Sequence, residues 1–300
     1  MNNIFRCISE ERNQAHVTRK ALFSKIEGML GRPLITFFTS FSYPVSLDDD
    51  DVEMLQGILQ LSDLRNGFAL LISSPGGDGL AAERIIKACR SHSGSKEYWC
   101  VVAGKAKSAA TMVCLGASKI MMAPTSELGP VDPQIIRKED GKIKRFSAHN
   151  YVKSYTKMFQ EAVKAKGNMQ PYLQQLSNYD EREIEEFRSI IELAEDIAVR
   201  TLSTGMMEKK SKPAIRKAID VFLTPSAGTK SHGRPIYFEE ADKCGLTIEN
   251  LDVTSDLWQA IYELNIRTDL YVSSNASKCI ESKDHAFAAP PPPRNQQNDE

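Results

Sequence analysis

The chain has 300 residues, 41% of them apolar and 26% charged, enough for one large globular domain or two smaller ones. Lys and Arg total 38 against 39 Asp and Glu, so a net charge of −1 leaves no basic field for nucleic acid or an anionic membrane. Six cysteines (Cys7, Cys89, Cys100, Cys114, Cys244 and Cys279) form no Cys-x-x-Cys pair and no zinc-ligand spacing, and they read as reduced thiols of a cytoplasmic protein.

Residues 1–31 are polar and charged, without the continuous apolar core of a signal peptide, and the spacing of Ala21, Leu22, Ile26, Met29 and Leu30 predicts a helix. No apolar run is long enough to cross a bilayer. A strand is predicted over 33–38, rich in β-branched and aromatic residues. A helix follows over 46–61. The acidic run Asp48, Asp49, Asp50 and Asp51 stands at its start, where negative charge suits the helix dipole. A metal site is the rival reading of that run.

Strand and helix then alternate: strand 67–74, helix 79–91, strand 98–103, helix 108–116 and strand 119–123. That spacing predicts βαβ units with right-handed crossovers, and the near absence of polar residues over 67–74 predicts a parallel strand buried on both faces. Residues 136–146 are charged, a loop or a hairpin. Helical patterns return over 151–167 and 180–210, with Asp180 as N-cap and Glu183 completing a capping-box-like pair. Pro213 begins a third helix running through Phe222. These helices, inserted at about 150–222, predict an arm or lid whose apolar faces serve packing or an oligomer contact. A turn-rich loop over 226–235 leads into a short helix over 236–243, stopped by Gly245, and a last amphipathic helix spans 256–266. The divisions are therefore an N-terminal helical segment over 1–32, an α/β domain over 33–270 and a disordered, Pro-rich tail over 271–300.

Two stretches carry chemistry. Ser74-Pro75-Gly76-Gly77-Asp78 ends an apolar strand and opens a helix, and adjacent glycines leave backbone N–H groups approachable. Ser108 follows in a run of small residues, Ala106, Ala109 and Ala110, at the start of another helix, near that helix's unpaired N–H donors. These are the parts of an oxyanion hole and a nucleophile. Ordinary structural roles compete. A serine before an apolar helical run commonly caps it, and paired glycines commonly make a tight turn. An aspartate before proline, as at Asp132, is a common turn residue, and a loop histidine such as His232 is commonly just solvated.

Four pieces in order, SPGG, AKSAATM around Ser108, LGPVDPQ, and SHGRPI followed by EEADKCGL, resemble the serine dehydrogenase proteinase family over roughly 67–250. These are Clp-protease-like serine peptidases of the Clp/crotonase superfamily. The resemblance implies an α/β Clp/crotonase-like core of repeated ββα and βαβ units, with a helical arm and C-terminal helices. It implies a serine endopeptidase acting on polypeptide through an acyl-enzyme on Ser108. Clp proteases proper place their histidine one βα step after the serine, where this chain has Asp132 and no histidine. The order Ser, Asp, His described for the resembled branch is met by Ser108, Asp132 and His232, with Gly76, Gly77 and Ala109 forming the oxyanion hole.

The signal-peptide-peptidase-like alternative is a Ser–Lys dyad with Lys153 or Lys157 as base, and His149 is a third candidate. A crotonase-type acyl-CoA enzyme and a non-catalytic oligomeric scaffold are the readings from other classes. The resemblance further implies a homo-oligomer and, by analogy only, an ATPase unfoldase partner. No cofactor is implied: a Gly-x-Gly-x-x-Gly fingerprint is absent.

Overall fold

The computed structural model describes residues 15–95, 97–139, 142–224 and 233–293. Helix α1 (His16–Leu30) precedes strand β1 (Leu34–Thr39), α2 (Asp49–Gln60) leads to β2 (Phe68–Ser73), and α3 (Gly79–His92) leads to β3 (Tyr98–Val102). Then come the two-residue β4 (Lys105–Ala106), α4 (Ala109–Leu115), β5 (Lys119–Met122) and β6 (Glu127–Leu128). A hairpin of β7 (Gln134–Glu139) and β8 (Lys142–Ser147) opens the arm of α5 (Ala148–Lys164), α6 (Gln170–Leu176) and α7 (Glu181–Ser203). Helices α8 (Lys212–Ala218), α9 (Asp220–Leu223) and α10 (Phe238–Lys243) return the chain to β9 (Ile248–Asn250). Helix α11 (Asp256–Ser274) and strands β10 (Lys278–Glu281) and β11 (Ala286–Ala289) complete it.

Seven strands form one sheet in the order β11-β10-β1-β2-β3-β5-β9. Strands β1, β2, β3, β5 and β9 are parallel, and β10 and β11 add an antiparallel edge. The two-residue period of a strand sorts each apolar run into two layers. Ile35, Phe37, Leu70, Ile72, Val102 and Met122 face one core with α2, α3, α4 and α7. Leu34, Phe38, Leu71, Val101 and Met121 face a second core with α1 and α11. Burial on both faces is why β2 carries hardly a polar residue.

The predicted strand–helix alternation over 33–123 therefore stands as a mixed α/β fold, and the charged stretch after residue 134 is a hairpin. One reading needs correction. The segment from residue 271 does not start a disordered tail: α11 runs on to Ser274, and β10 is buried beside β1. Four residues, two of them charged, give no apolar signal. Those charges are matched far away in sequence, Glu281 by Arg19 at 2.8 and 2.5 Å and Lys278 by Asp48 at 2.7 Å and Asp51 at 2.9 Å. The acidic run at the start of α2 thus has a lysine for its cation, and among the described residues no cluster of three or more His, Cys, Asp or Glu could hold a metal. Helix α6, too polar to show an apolar face, has only Pro171 in its first turn as a sequence signal. Cys89, Cys100, Cys114, Cys244 and Cys279 are free and buried; Cys7 lies outside the described residues. Among the described residues no helix is long and apolar enough to cross a membrane.

Candidate active site

The SPGG turn sits directly on the Ser108 turn. Ser74, fully buried at the end of β2, donates its N–H to Lys105 O at 3.0 Å and accepts the Lys107 N–H at 3.0 Å. Gly76 lies at φ +88°, where only glycine is unstrained, and a Cβ there would meet Lys107 O, Ser108 Cβ at 2.7 Å and Ala109 N at 2.9 Å. The Gly76 N–H donates to Ser74 Oγ at 3.1 Å, so its contribution is close approach and a fixed turn. Leu47 donates to Gly76 O at 2.8 Å and accepts the Asp78 N–H at 2.9 Å. That parallel bridge turns the Gly77 N–H to the side away from Leu47, and among the described residues it has no hydrogen-bond partner.

Ser108 is half-buried at the N-cap position of α4, with φ 51° and ψ −118°, one of two non-glycine residues at positive φ among those described. Its hydroxyl makes no capping bond. A serine that only capped the helix would have extended backbone and an Oγ on an N–H of the first turn. Here the backbone is strained, and such outliers persist where the surroundings over-determine them. The next N–H, that of Ala109, belongs to the first turn of α4 and has no intrahelical acceptor.

The surroundings are well tied. Thr111 Oγ1 donates to Ala106 O at 2.7 Å and accepts the Gly129 N–H at 3.0 Å, which joins the Ser108 helix to the stretch leading to Asp132. Arg90 binds Gly116 O at 3.0 Å, Thr201 O at 3.1 Å and Thr204 Oγ1 at 2.8 Å, clamping the C-terminal ends of α4 and α7 together. Lys107, which gave no sequence signal, sends Nζ to Glu127 Oε2 at 3.1 Å and Leu128 O at 3.3 Å. Burial pushes its ammonium down, opposed by the hydrogen bond to Glu127.

Asp132 is fully buried and accepts from Ser147 Oγ at 2.9 Å and Gln134 Nε2 at 2.7 Å. His232 lies outside the described residues. The described chain resumes at Gly233, and Ile236 exchanges two backbone hydrogen bonds with Leu128, 3.0 and 2.9 Å. His149, in the first turn of α5, is half-buried in a small cavity with Val131, Pro133, Ile191, Ala194, Glu195 and Leu223. Burial pushes its imidazole pKa down, opposed first by the charge of Asp132. Lys153 and Lys157 are exposed on α5, and Lys157 pairs with Glu161 at 3.8 Å. The described chain thus brings Gly76, Gly77, Ser108 and Ala109 together and leaves the two lysines in solvent.

The family described as ClpP-like SDH-type serine proteinase matches residues 1–299. Uncharacterized protein MJ0137 of Methanocaldococcus jannaschii is 29% identical over 261 residues, 87% of this chain and 76% of that protein. Uncharacterized protein MJ1495 of the same organism is 25% identical over 261 residues, 86% of this chain and 74% of that protein. A solved structure of a mutant 1510-N membrane-bound stomatin-specific protease aligns with 42% of this chain and 63% of that one, at 17% identity and a TM-score of 0.30, too slight a likeness to carry weight.

Proposed function

The chain belongs to the ClpP-like SDH-type serine proteinases and has the mixed α/β fold of that family, and from this premise we propose that it hydrolyses peptide bonds through an acyl-enzyme on Ser108. The observation that carries the reading is the strained Ser108 backbone packed against Gly76, with the N–H groups of Gly77 and Ala109 beside it and without partners among the described residues. Ser108 Oγ attacks the scissile carbonyl carbon and gives up its proton to the neutral imidazole of His232. The carbonyl oxygen becomes an oxyanion held by the Gly77 and Ala109 N–H groups, each worth about 3 kcal/mol of barrier. His232 then protonates the leaving amine, and water, activated by the same imidazole, hydrolyses the acyl-enzyme.

Asp132 orients the imidazole and stabilises its charged form. Its complete burial supports that role. What supports His232 is chain connectivity: Asp132 and His232 each lie four residues from one member of the hydrogen-bonded pair Leu128 and Ile236. A lysine base needs burial, and Lys153 and Lys157 have none within the chain. Self-association belongs to the same proposal, supported by Phe159, Val163 and Leu173, large apolar side chains exposed on the arm.

Fluorophosphonate labelling tests the mechanism. The purified chain is labelled on Ser108, Ser108→Ala abolishes labelling, and Asp132→Asn and His232→Ala each slow it by about 10²-fold or more. A folded wild-type chain that takes no label refutes the enzyme. Unchanged labelling in His232→Ala with loss in Lys153→Met or Lys157→Met moves the base to a lysine dyad.

A further inference from the structure

We infer that Lys278, on β10 near the far end of the chain, is a positioning residue for the oxyanion loop; the inference rests on the reading of Gly77 as an oxyanion donor. The link is short, with Lys278, Asp51 and Leu47 buried and Asp48 half-exposed. Lys278 is 7% exposed, and its Nζ donates to Asp48 Oδ2 at 2.7 Å and Asp51 Oδ2 at 2.9 Å. Asp51 is fully buried, and its Oδ2 also accepts the Asp48 N–H at 2.9 Å, so one cation and one amide gather the first turn of α2. The residue before that turn is Leu47, fully buried and hydrogen-bonded on both sides of Gly77, to Gly76 O and from the Asp78 N–H. Gly77 has no room for a Cβ because the Leu47 backbone fills it, with Leu47 N at 2.6 Å from where that atom would be. The Leu47 backbone is therefore the mould against which the Gly77 peptide lies, and the mould is held by Lys278.

The clamp has its own anchorage. Ser40 donates its N–H to Ser277 O at 2.8 Å, which fixes β10 beside the end of β1 just before Lys278. Burying a cation between two carboxylates is a poor way to gain stability, since desolvation offsets most of the attraction, but it restricts geometry because each partner is costly to leave unpaired. Without the ammonium, nothing ties Asp48 and residue 51 to β10, whether Asp51 takes up a proton or is replaced, so the first turn of α2 shifts and with it Leu47 and the direction of the Gly77 N–H. An oxyanion donor moved by a fraction of its hydrogen-bond length loses its hold on the transition state and not on bound substrate.

Two variants test this, Lys278→Met and the double variant Lys278→Met with Asp51→Asn, which carries no unpaired buried charge and keeps the chain folded if the single variant does not. Cys279→Ala is the control: Cys279 is the next residue on β10, fully buried, and faces the opposite core. The readouts are the fluorophosphonate reaction, resolved into maximal rate and half-saturating concentration per folded molecule, and hydrogen exchange of the Asp78 amide. The Lys278 variants lower the maximal rate about tenfold with half-saturation unchanged, and the Asp78 amide exchanges at least about tenfold faster. Cys279→Ala lowers the melting temperature and moves neither. Wild-type maximal rates in both Lys278 variants, or unchanged Asp78 protection, overturn the inference. If the wild-type chain takes no label, the functional reading fails, and Asp78 exchange alone decides whether Lys278 holds the loop.

Discussion

Gly76→Ala is the most direct perturbation of the site, because the new methyl group has nowhere to go. Gly76 lies at φ +88°, and an added Cβ would meet Lys107 O, Ser108 Cβ at 2.7 Å and Ala109 N at 2.9 Å. Two of these are backbone atoms of the Ser108 turn, so no side chain can swing aside. Positive φ costs a residue with a Cβ about 1–2 kcal/mol, and overpacking adds about 1–3 kcal/mol. A total of about 2–5 kcal/mol lowers the melting temperature of a chain this size by roughly 4–15 °C. The same push displaces Ser108 from its donors, and a misplacement near 1 Å costs about 10²-fold in rate. Thermal melting and the fluorophosphonate labelling rate per folded molecule read the two effects separately. Gly28→Ala is the reference, since that glycine lies within α1 with nothing inside 4 Å of the added atom, and it stabilises by about 0.5–1 kcal/mol. If Gly76→Ala melts and labels like the wild type, the two turns are not packed together and the reasoning fails.

Three further outcomes follow from the same geometry. His149 has its folded-state pKa pushed below 6.5, first by burial, so the unfolded chain binds more protons over the interval between the two values. Its contribution to stability is present above about pH 6.5 and is lost as the pH falls toward the folded value. Replacing His149 with Gln flattens that part of a urea-stability profile, and an unaltered slope contradicts its burial. Glu281→Gln leaves Arg19 charged and fully buried against a neutral partner, which costs about 3–5 kcal/mol in denaturant melts; a loss below about 1 kcal/mol shows that β10 is not seated in the sheet. Burial pushes the Cys244 thiol up to about 11 and raises those of Cys89, Cys100 and Cys279 as well. At pH 8 iodoacetamide therefore modifies these four at least about 100-fold more slowly in the native protein than in denaturant, as mapped by peptide mass spectrometry. Rapid native alkylation of Cys244 places it at the surface.

The arrangement of the site divides the work among distant parts of the chain. The strand ends at Ser73 and Val102 deliver two turns to one edge, Gly76 lets them touch, and Leu47 from a third turn sets the orientation of Gly77. Arg90 and Thr111 then fix the Ser108 helix against the arm and against the segment carrying Asp132. Strain at Ser108 is stable only because all of these constraints act together.

Much of this was written locally in the amino-acid order. The parallel strands over 34–122 are apolar on both faces, and the helix after β2 carries its own cap at Asp78, so short-range patterning determined the α/β core. The glycines of SPGG and the small residues around Ser108 likewise marked the proposed nucleophile and oxyanion donors, because those roles need backbone freedom and little bulk. Tertiary structure alone decided what depends on partners remote in sequence. The Leu47 peptide behind Gly77, the Lys278 ammonium between Asp48 and Asp51, and Glu281 on Arg19 place charged or unremarkable residues in the interior. Read alone, Lys278 and Glu281 are two charges in a polar chain end, and only a partner more than 200 residues away makes their burial affordable.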